Sequence, residues 1–544
     1  MFPLLAFPSG VFEDILTCWL ELKSVCKLDT AFCTTKHRAR FLEMCQEKVM
    51  VFSLTPPLKT NNSKTLFNQW IVAKKVKISR VEFPFHEWIE VFGFSRYEYS
   101  DRDICFDLLS LTGMHLKQLT IPSETVFSEV GLLCSNLTHI SINHYCRVKP
   151  TFRAVIAGCP MLESLEFDAY CFLYDEADWF DGIVCHKLTT FKGRYASNLA
   201  ENVIIALSRS APNLTSLQID AGYISDLALQ VLINASIKLS TLEVGSYHSS
   251  FFQISQCCST LTSLYLTGEN SIIYVFITLF HCVSLYMIVI FLIGNYYGVK
   301  DQPLVQRLKN CPKLRILTMK TMNLADRPEL CLSTIADELH LLTKLELFYC
   351  QNYTDAGLRA IAASCVHLTV FNITNQKNDK ITQDPLIQIA QNCSALREFT
   401  VNNIPTVSDA LLHALAVSCP FLNKCSFFLC PLISDNGVCF LAQFCERLTE
   451  IAVSKNITDI SLFAIAQHCA NLQKLDLREC NCDSYHNVNS KITKEGVAAV
   501  VYKCAKLKIL NLQLSVCSQV QTVKNQWAAD FPLLKVSWYA PLFL

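Results

Sequence analysis

Two hydrophobic rhythms alternate along most of this chain. One has period two: apolar residues such as Leu475 and Leu477 alternate with polar ones, as in a short strand with one buried face. The other has the helical period: Leu358, Ile361, Ala362 and Cys365 stand at i, i+3, i+4 and i+7, on one helix face. The same stripe returns at Leu386, Ile389, Ala390, Cys393, at Leu412, Leu415, Ala416, Cys419, at Val438, Leu441, Ala442, Cys445 and at Leu462, Ile465, Ala466, Cys469. Those Cys recur at intervals of 28, 26, 26 and 24. Each opens a strand phrase, as in CVHLTVFNI from Cys365 and CANLQKLDL from Cys469. Self-similarity at a period in the twenties predicts stacked strand–helix units, none able to bury its own face. Ser or Thr stands four residues before each stripe, at Thr354, Thr382, Ser408, Ser434 and Thr458, and Asp follows at Asp355, Asp409, Asp435 and Asp459. Either can accept amide hydrogens of the first helical turn, so each helix is expected to be capped by its own pair.

The phrase resembles the cysteine-containing class of leucine-rich repeat, whose pattern continues after the strand with Cys and then Thr/Ser-Asp-x-Gly. LFYCQNYTDAGL (347–358) and FFLCPLISDNGV (427–438) carry it through Cys350 and Cys430. The resemblance implies an α/β solenoid of the ribonuclease-inhibitor-like kind, with a parallel sheet on the concave face and helices on the convex face.

Residues 1–45 do not follow the repeat. Pro8 and Ser9 mark a helix start, and Val11, Ile15, Cys18, Trp19 and Leu22 form an apolar stripe. The stretch resembles an F-box, the small all-α motif that docks on the Skp adaptor of cullin-type ubiquitin ligases. Phe7-Pro8 matches its Leu-Pro opening and Ile15-Leu16 its Ile-Leu pair, and Leu20, Leu22, Lys23, Val25 and Leu28 match the segment that follows. The family's closing Trp is missing from AFCTTKHRARF. The resemblance implies adaptor contacts at Pro8, Ile15, Leu16, Leu20, Leu22, Val25 and Leu28. Read without it, the segment is a helical cap on the first repeat.

Residues 46–69, with Pro56-Pro57 and a polar run, read as a linker, and Trp70–Ile78 as the first strand phrase. The repeats are expected over 70–515, about sixteen of them to the usual error of such counts. Val520, Val523 and Trp527 predict a last helix, and Leu534, Val536 and Trp538 a last strand, in a cap over 516–544. Ser271–Ile293 carries no charge and is long enough to cross a membrane. Cys282, Leu285, Ile288 and Ile290 keep the repeat phrase, so a distorted repeat is expected there instead. Between Cys469 and Cys504 the interval grows to 35, with the excess at 478–493, a loop on one rim.

Composition narrows the functional classes. Lys+Arg and Asp+Glu balance at 47 each, which gives no support to a nucleic-acid partner. Most of the 28 Cys occupy repeat positions, as small buried hydrophobes, which suits a reducing compartment. Asn136-Leu-Thr and Asn213-Leu-Thr match the glycosylation sequon but lie inside repeat phrases. The N-terminus has no basic leader of the secretory kind. No metal-ligand spacing, phosphate loop or nucleophile motif stands out, so no cofactor, metal or catalytic residue is expected.

The surface left for function is the outward-facing half of the sheet. Lys344, Glu346 and Phe348, Lys424, Ser426 and Phe428, and Lys474, Asp476 and Arg478 alternate with the buried positions. Of these, Lys344, Glu346, Phe348, Lys424, Phe428, Lys474, Asp476 and Arg478 are the candidate substrate contacts, with the aromatic rings as anchors. The resemblance implies a non-enzymatic substrate-recognition subunit of a cullin-type (SCF) ubiquitin ligase in cytoplasm or nucleus, holding the Skp adaptor at one end and a substrate protein on the repeats. The charge balance gives no support to a nucleic-acid partner, and the repeat phrase kept within 271–293 speaks against membrane insertion. An interaction scaffold without a ligase role, and a secreted or membrane-bound receptor, are the other readings.

Overall fold

The structure is a computed structural model. It describes the strands Met50–Ser53 and Ile78–Glu82, most of 109–246, 260–268, 284–292, most of 311–374, 381–478 apart from 454–455, 492–513, and most of 527–539. The F-box-like residues, 1–45, lie outside the described residues, and with them all seven expected adaptor contacts. Two compact units divide at His248 and Ser249.

In the first unit, strands join in parallel and in chain order: Met50–Ser53, Ile78–Glu82, Gln118–Ile121, His139–Ile142, Ser164–Phe167, Thr190–Gly193, Ser216–Asp220 and Thr241–Ser246. Two corrections to the sequence reading follow. Met50–Ser53 lies in the expected linker but pairs with Ile78–Glu82, and that second strand starts where the Trp70–Ile78 phrase was expected to end. Both segments are short, and only their partners reveal them.

The second unit runs the same way from Ser263–Gly268 through Met287–Leu292, Ile316–Lys320, Lys344–Phe348, Val370–Thr374, Glu398–Asn402, Lys424–Ser426, Glu450–Ala452, Lys474–Leu477 and Ile509–Gln513 to Lys535–Tyr539. Met287–Leu292 is thus an inner strand of the charge-free stretch. Its pairing with Ile316–Lys320 is regular, so the long Cys282–Cys311 interval leaves the sheet undistorted. No helix among the described residues is long and apolar enough to cross a membrane. Lys535–Tyr539, placed in the C-terminal cap by its sequence, pairs with Ile509–Gln513 as one more rung, and Trp527 is buried.

Each full repeat folds as its pattern requires. Helices Asp355–Ser364, Asp384–Asn392, Asp409–Ser418, Asp435–Phe444, Asp459–His468 and Lys494–Lys503 bury the expected stripe against the strands. The Cys closes each helix: the Cys365 amide bonds Ile361 O, and the Cys393 amide bonds Ile389 O. Its thiol then reaches the repeat before, as Cys393 Sγ does to Cys365 O at 3.4 Å and Cys419 Sγ to Ala390 O at 3.3 Å. A buried Cys fills the small space at the helix end and also donates across the repeat boundary. Burial pushes the thiols of Cys365, Cys419, Cys445 and Cys469 up to about 12.

The caps divide the labour that the sequence assigns to one pair. Thr354, Ser434, Thr458 and Thr493 accept amides of their own helices. Ser408 makes no such bond, and the helix after Thr382 is entered through Gln383, which caps nothing with its side chain. The Asp carboxylates turn instead to the following repeat. Asp409 accepts the Ser434 amide at 2.8 Å and its hydroxyl at 2.6 Å, and Asp355 takes the Thr382 amide at 2.9 Å. Gln383, at the place of Asp, accepts from Ser408 in the same way. The Gly of the motif has its reason here. A Cβ on Gly437 would strike Asp409 Oδ1, and one on Gly496 would strike Asp459 Oδ1.

Candidate functional site

Parallel register turns each strand position into a row across the sheet. In the second unit two rows point to the helices and are buried, including the stacked rings Phe371 and Phe399, 5.5 Å apart. The rows between them form the open face.

The first open row carries Lys344, Val370, Glu398, Lys424, Glu450 and Lys474 on successive strands. Charges of opposite sign alternate over its last four rungs. Lys424 Nζ lies 3.4 Å from Glu398 and 3.2 Å from Glu450, and Lys474 lies 4.0 Å from Glu450. The hydrogen bond to Glu450 holds the Lys424 ammonium above its ordinary value, and the charges of Glu398 and Glu450 add to it, against the opposing effect of burial.

The next open row is polar and largely tied to itself. Glu346 accepts from Thr318 at 2.8 Å and from Asn372 at 2.6 Å, and pairs with Lys344 at 3.1 Å. Asn372 Oδ1 has no hydrogen-bond partner among the described residues. Thr400, Ser426 and Ala452 follow, small and partly exposed. Then comes Asp476, only 1 % exposed. It accepts from Arg478 Nε and Nη2, each at 2.8 Å, and from Asn511 at 2.7 Å.

The row beyond holds Phe348, Thr374 and Asn402 in register, with Phe428 and Arg478 past the ends of their own strands. The Asn402 side chain accepts the Phe428 amide at 2.8 Å, and Leu429 takes φ 55 to turn the chain away. The Arg478 guanidinium lies 5.5 Å above the Phe428 ring.

All eight residues singled out from the sequence therefore lie on this side of the sheet, but not as eight equivalent surface groups. Asp476 is a correction: the sequence pattern puts it outward, and outward it is, but Arg478 and Asn511 close over it. Arg478 is consequently no free cation, because its fork is spent on Asp476 and its face on Phe428. Phe348 and Phe428 are half-buried, where the sequence pattern suggested exposed rings. Sequence reasoning passed over Glu398 and Glu450, which complete the charged row. Their signal was available, because they hold the same strand position as Lys424 and Lys474.

The sequons at Asn136 and Asn213 have a structural use. Asn136 Nδ2 donates to Met114 O and Asn213 Nδ2 to His186 O, each at 2.8 Å, and the Thr hydroxyls bond the preceding strands. The Asn that would carry a glycan is thus a rung of the stack. Fourteen free cysteines are found among the described residues, and no group of side chains there could hold a metal ion.

This strand–Cys–helix unit, stacked in parallel with one open sheet face, decides the fold. Each unit folds as a stack of leucine-rich repeats. Curated proteins resemble the chain over part of its length. It is 24 % identical over 299 residues to a transport inhibitor response 1-like protein of Oryza sativa subsp. japonica, covering 51 % of this chain and 50 % of that protein. It is 25 % identical over 197 residues to coronatine-insensitive protein homolog 2 of Oryza sativa subsp. indica, covering 32 % of each. The match thus spans about half the length of the first relative and a third of the second. No family model matches. Among solved structures, a chain in the crystal structure of the Rad7 and Elc1 complex in yeast aligns with 91 % of this chain and 93 % of its own, at 15 % identity and TM-score 0.41.

Proposed function

We propose that this leucine-rich repeat protein is the substrate-recognition subunit of a cullin-type ubiquitin ligase. Its N-terminal segment docks on a Skp-type adaptor through Pro8, Ile15, Leu16, Leu20, Leu22, Val25 and Leu28. The open sheet face of the second unit holds the substrate protein, and the chain carries no catalytic step itself. The observation that carries this reading is an F-box-like sequence set before a repeat sheet whose open face presents charged and aromatic side chains. The curated relatives support it, as proteins named for responses to a transport inhibitor and to coronatine. Cytoplasm or nucleus suits the many buried free thiols.

The experiment is co-purification of the full chain with the adaptor, beside the double variant Ile15→Asp, Leu16→Asp. Two charges in an apolar interface should abolish adaptor capture and leave the thermal transition of the repeats in place. If the parent captures no adaptor, the chain is a scaffold without a ligase role.

A further inference from the structure

The open face of the second unit has the dimensions of a trough. One wall is the charged row Glu398, Lys424, Glu450, Lys474, whose side chains are between 34 % and 41 % exposed. The floor is Thr400, Ser426 and Ala452, with small side chains, and it ends at the Lys474 rung, where Arg478 closes over Asp476. The other wall is Phe428 with Arg478 stacked on it. On the strand Glu398–Asn402 the two edges are four residues apart, about 13 Å at roughly 3.3 Å per residue. A helix with its side chains is about 10–12 Å across, and an extended chain paired at about 4.8 Å would leave the trough part empty.

The charges have a spacing that suits the same occupant. Successive rungs lie about 4.8 Å apart, and the sign changes at every rung. One turn of an α-helix rises about 5.4 Å, so residues at i, i+4, i+7 and i+11 on one face keep step with four rungs. A partner of a single sign would meet a like charge at every second rung, which costs affinity as surely as the other rungs add to it. The floor adds no charge, and the cation of Arg478 is held by both its Nε and Nη2 on the nearly buried Asp476, whereas the ions of the row pair at 3.2 to 4.0 Å and stay 34 % to 41 % exposed.

We propose that this trough receives one α-helix of the partner protein, laid across the strands. One edge of that helix carries acidic and basic residues in alternation, one turn apart, and its other edge sets an apolar side chain against Phe428. The proposal deepens the reading of the open face as the substrate face and rests on it.

The test uses the full chain and a library of one rigid helical scaffold displayed on phage. Its positions i, i+4, i+7 and i+11 on one face are each Lys or Glu, with Leu fixed on the adjoining edge. The alternating faces should be enriched about tenfold over faces with charges in blocks. The exchange Lys424→Glu with Glu450→Lys turns the row into two acidic and then two basic rungs, and the preferred face should change to two Lys followed by two Glu. Capture of no helix by the parent chain, or equal capture of alternating and block-charged faces, overturns the proposal without needing any variant to fold. An exchange variant that folds and keeps the parent's preference overturns it too. Cross-linking of the natural partner separates the two readings: a partner held elsewhere on the chain fails the substrate-face reading, and a non-helical segment held in the trough fails only this one.

Discussion

Asp459 and Thr493 lie 34 residues apart, yet they meet as Asp409 and Ser434 do across 25. Asp459 accepts the Thr493 amide at 2.8 Å and its hydroxyl at 2.6 Å, the same pair of bonds at the same distances. The long interval therefore leaves the stacking of the repeats unchanged. Arg478 at one end and Thr493 at the other are both fixed to the frame.

This contact predicts a cost at a glycine. Gly496→Ala would push a methyl group into the Asp459 carboxylate, and should destabilise the chain by about 1–3 kcal/mol. In an Asp459→Ala background the same change should cost clearly less, because the obstructing atoms are side-chain atoms. Denaturant midpoints for the four proteins of the cycle measure it, and strictly additive effects would show that the two residues do not press on each other.

Acid should loosen the helix N-termini. Burial on its own would raise the Asp435 carboxyl, but the Ser461 hydroxyl and the Thr458 amide and hydroxyl together hold it below its ordinary 3.8. A carboxyl with a depressed folded-state value adds stability above its unfolded-state value and loses it as the pH falls through the folded one. Stability followed downward from neutral pH should drop more steeply for the parent than for Asp435→Asn. Parallel curves would remove Asp435 from the account.

Thiol reactivity should follow burial. Cys439 is the half-buried member of the described cysteines, and Cys365, Cys393, Cys419, Cys445 and Cys469 are closed off. Under native conditions an alkylating reagent should mark Cys439 well before those five, read by peptide mass spectrometry. Cys393→Ala should cost on the order of 1 kcal/mol and Cys393→Asp several. Early alkylation of Cys393 would mean that the repeat opens there.

Phe428 and Arg478 should part company on substitution. Phe428→Ser removes a half-buried ring from the trough wall, and should weaken partner capture while the melting temperature stays near that of the parent. Arg478→Glu sets a carboxylate beside the buried Asp476, and should cost roughly 2–4 kcal/mol of stability, less than for a fully buried pair because Arg478 is 30 % exposed. A stable Arg478→Glu protein would place Asp476 in water.

Asn136 and Asn213 should stay unmodified. In a chain directed through a secretory host, the peptides carrying Asn136 and Asn213 should show no mass change on endoglycosidase treatment, because each amide nitrogen is bonded to the repeat before it. Recovery of a glycan at either Asn would contradict that account.

The sequence by itself determined the repeat. Cys365, Cys393, Cys419, Cys445 and Cys469 and the apolar stripes before them fix where strand and helix lie, because burial of one face leaves a period that can be read along the chain. It also fixed which strand residues point away from the helices, since alternation is a local property. Only the tertiary structure decided what those residues do there. Asp476 looks outward by its position, and Arg478 and Asn511 bury it. Asp409 looks like a cap for its own helix, and it serves Ser434 on the next. Glu398 and Glu450 became part of the site only when register set them beside Lys424. Each of these contacts joins residues about one repeat or more apart, or turns on how neighbouring repeats cover them. A local pattern records which face a side chain takes and not which neighbour the stacking brings to it.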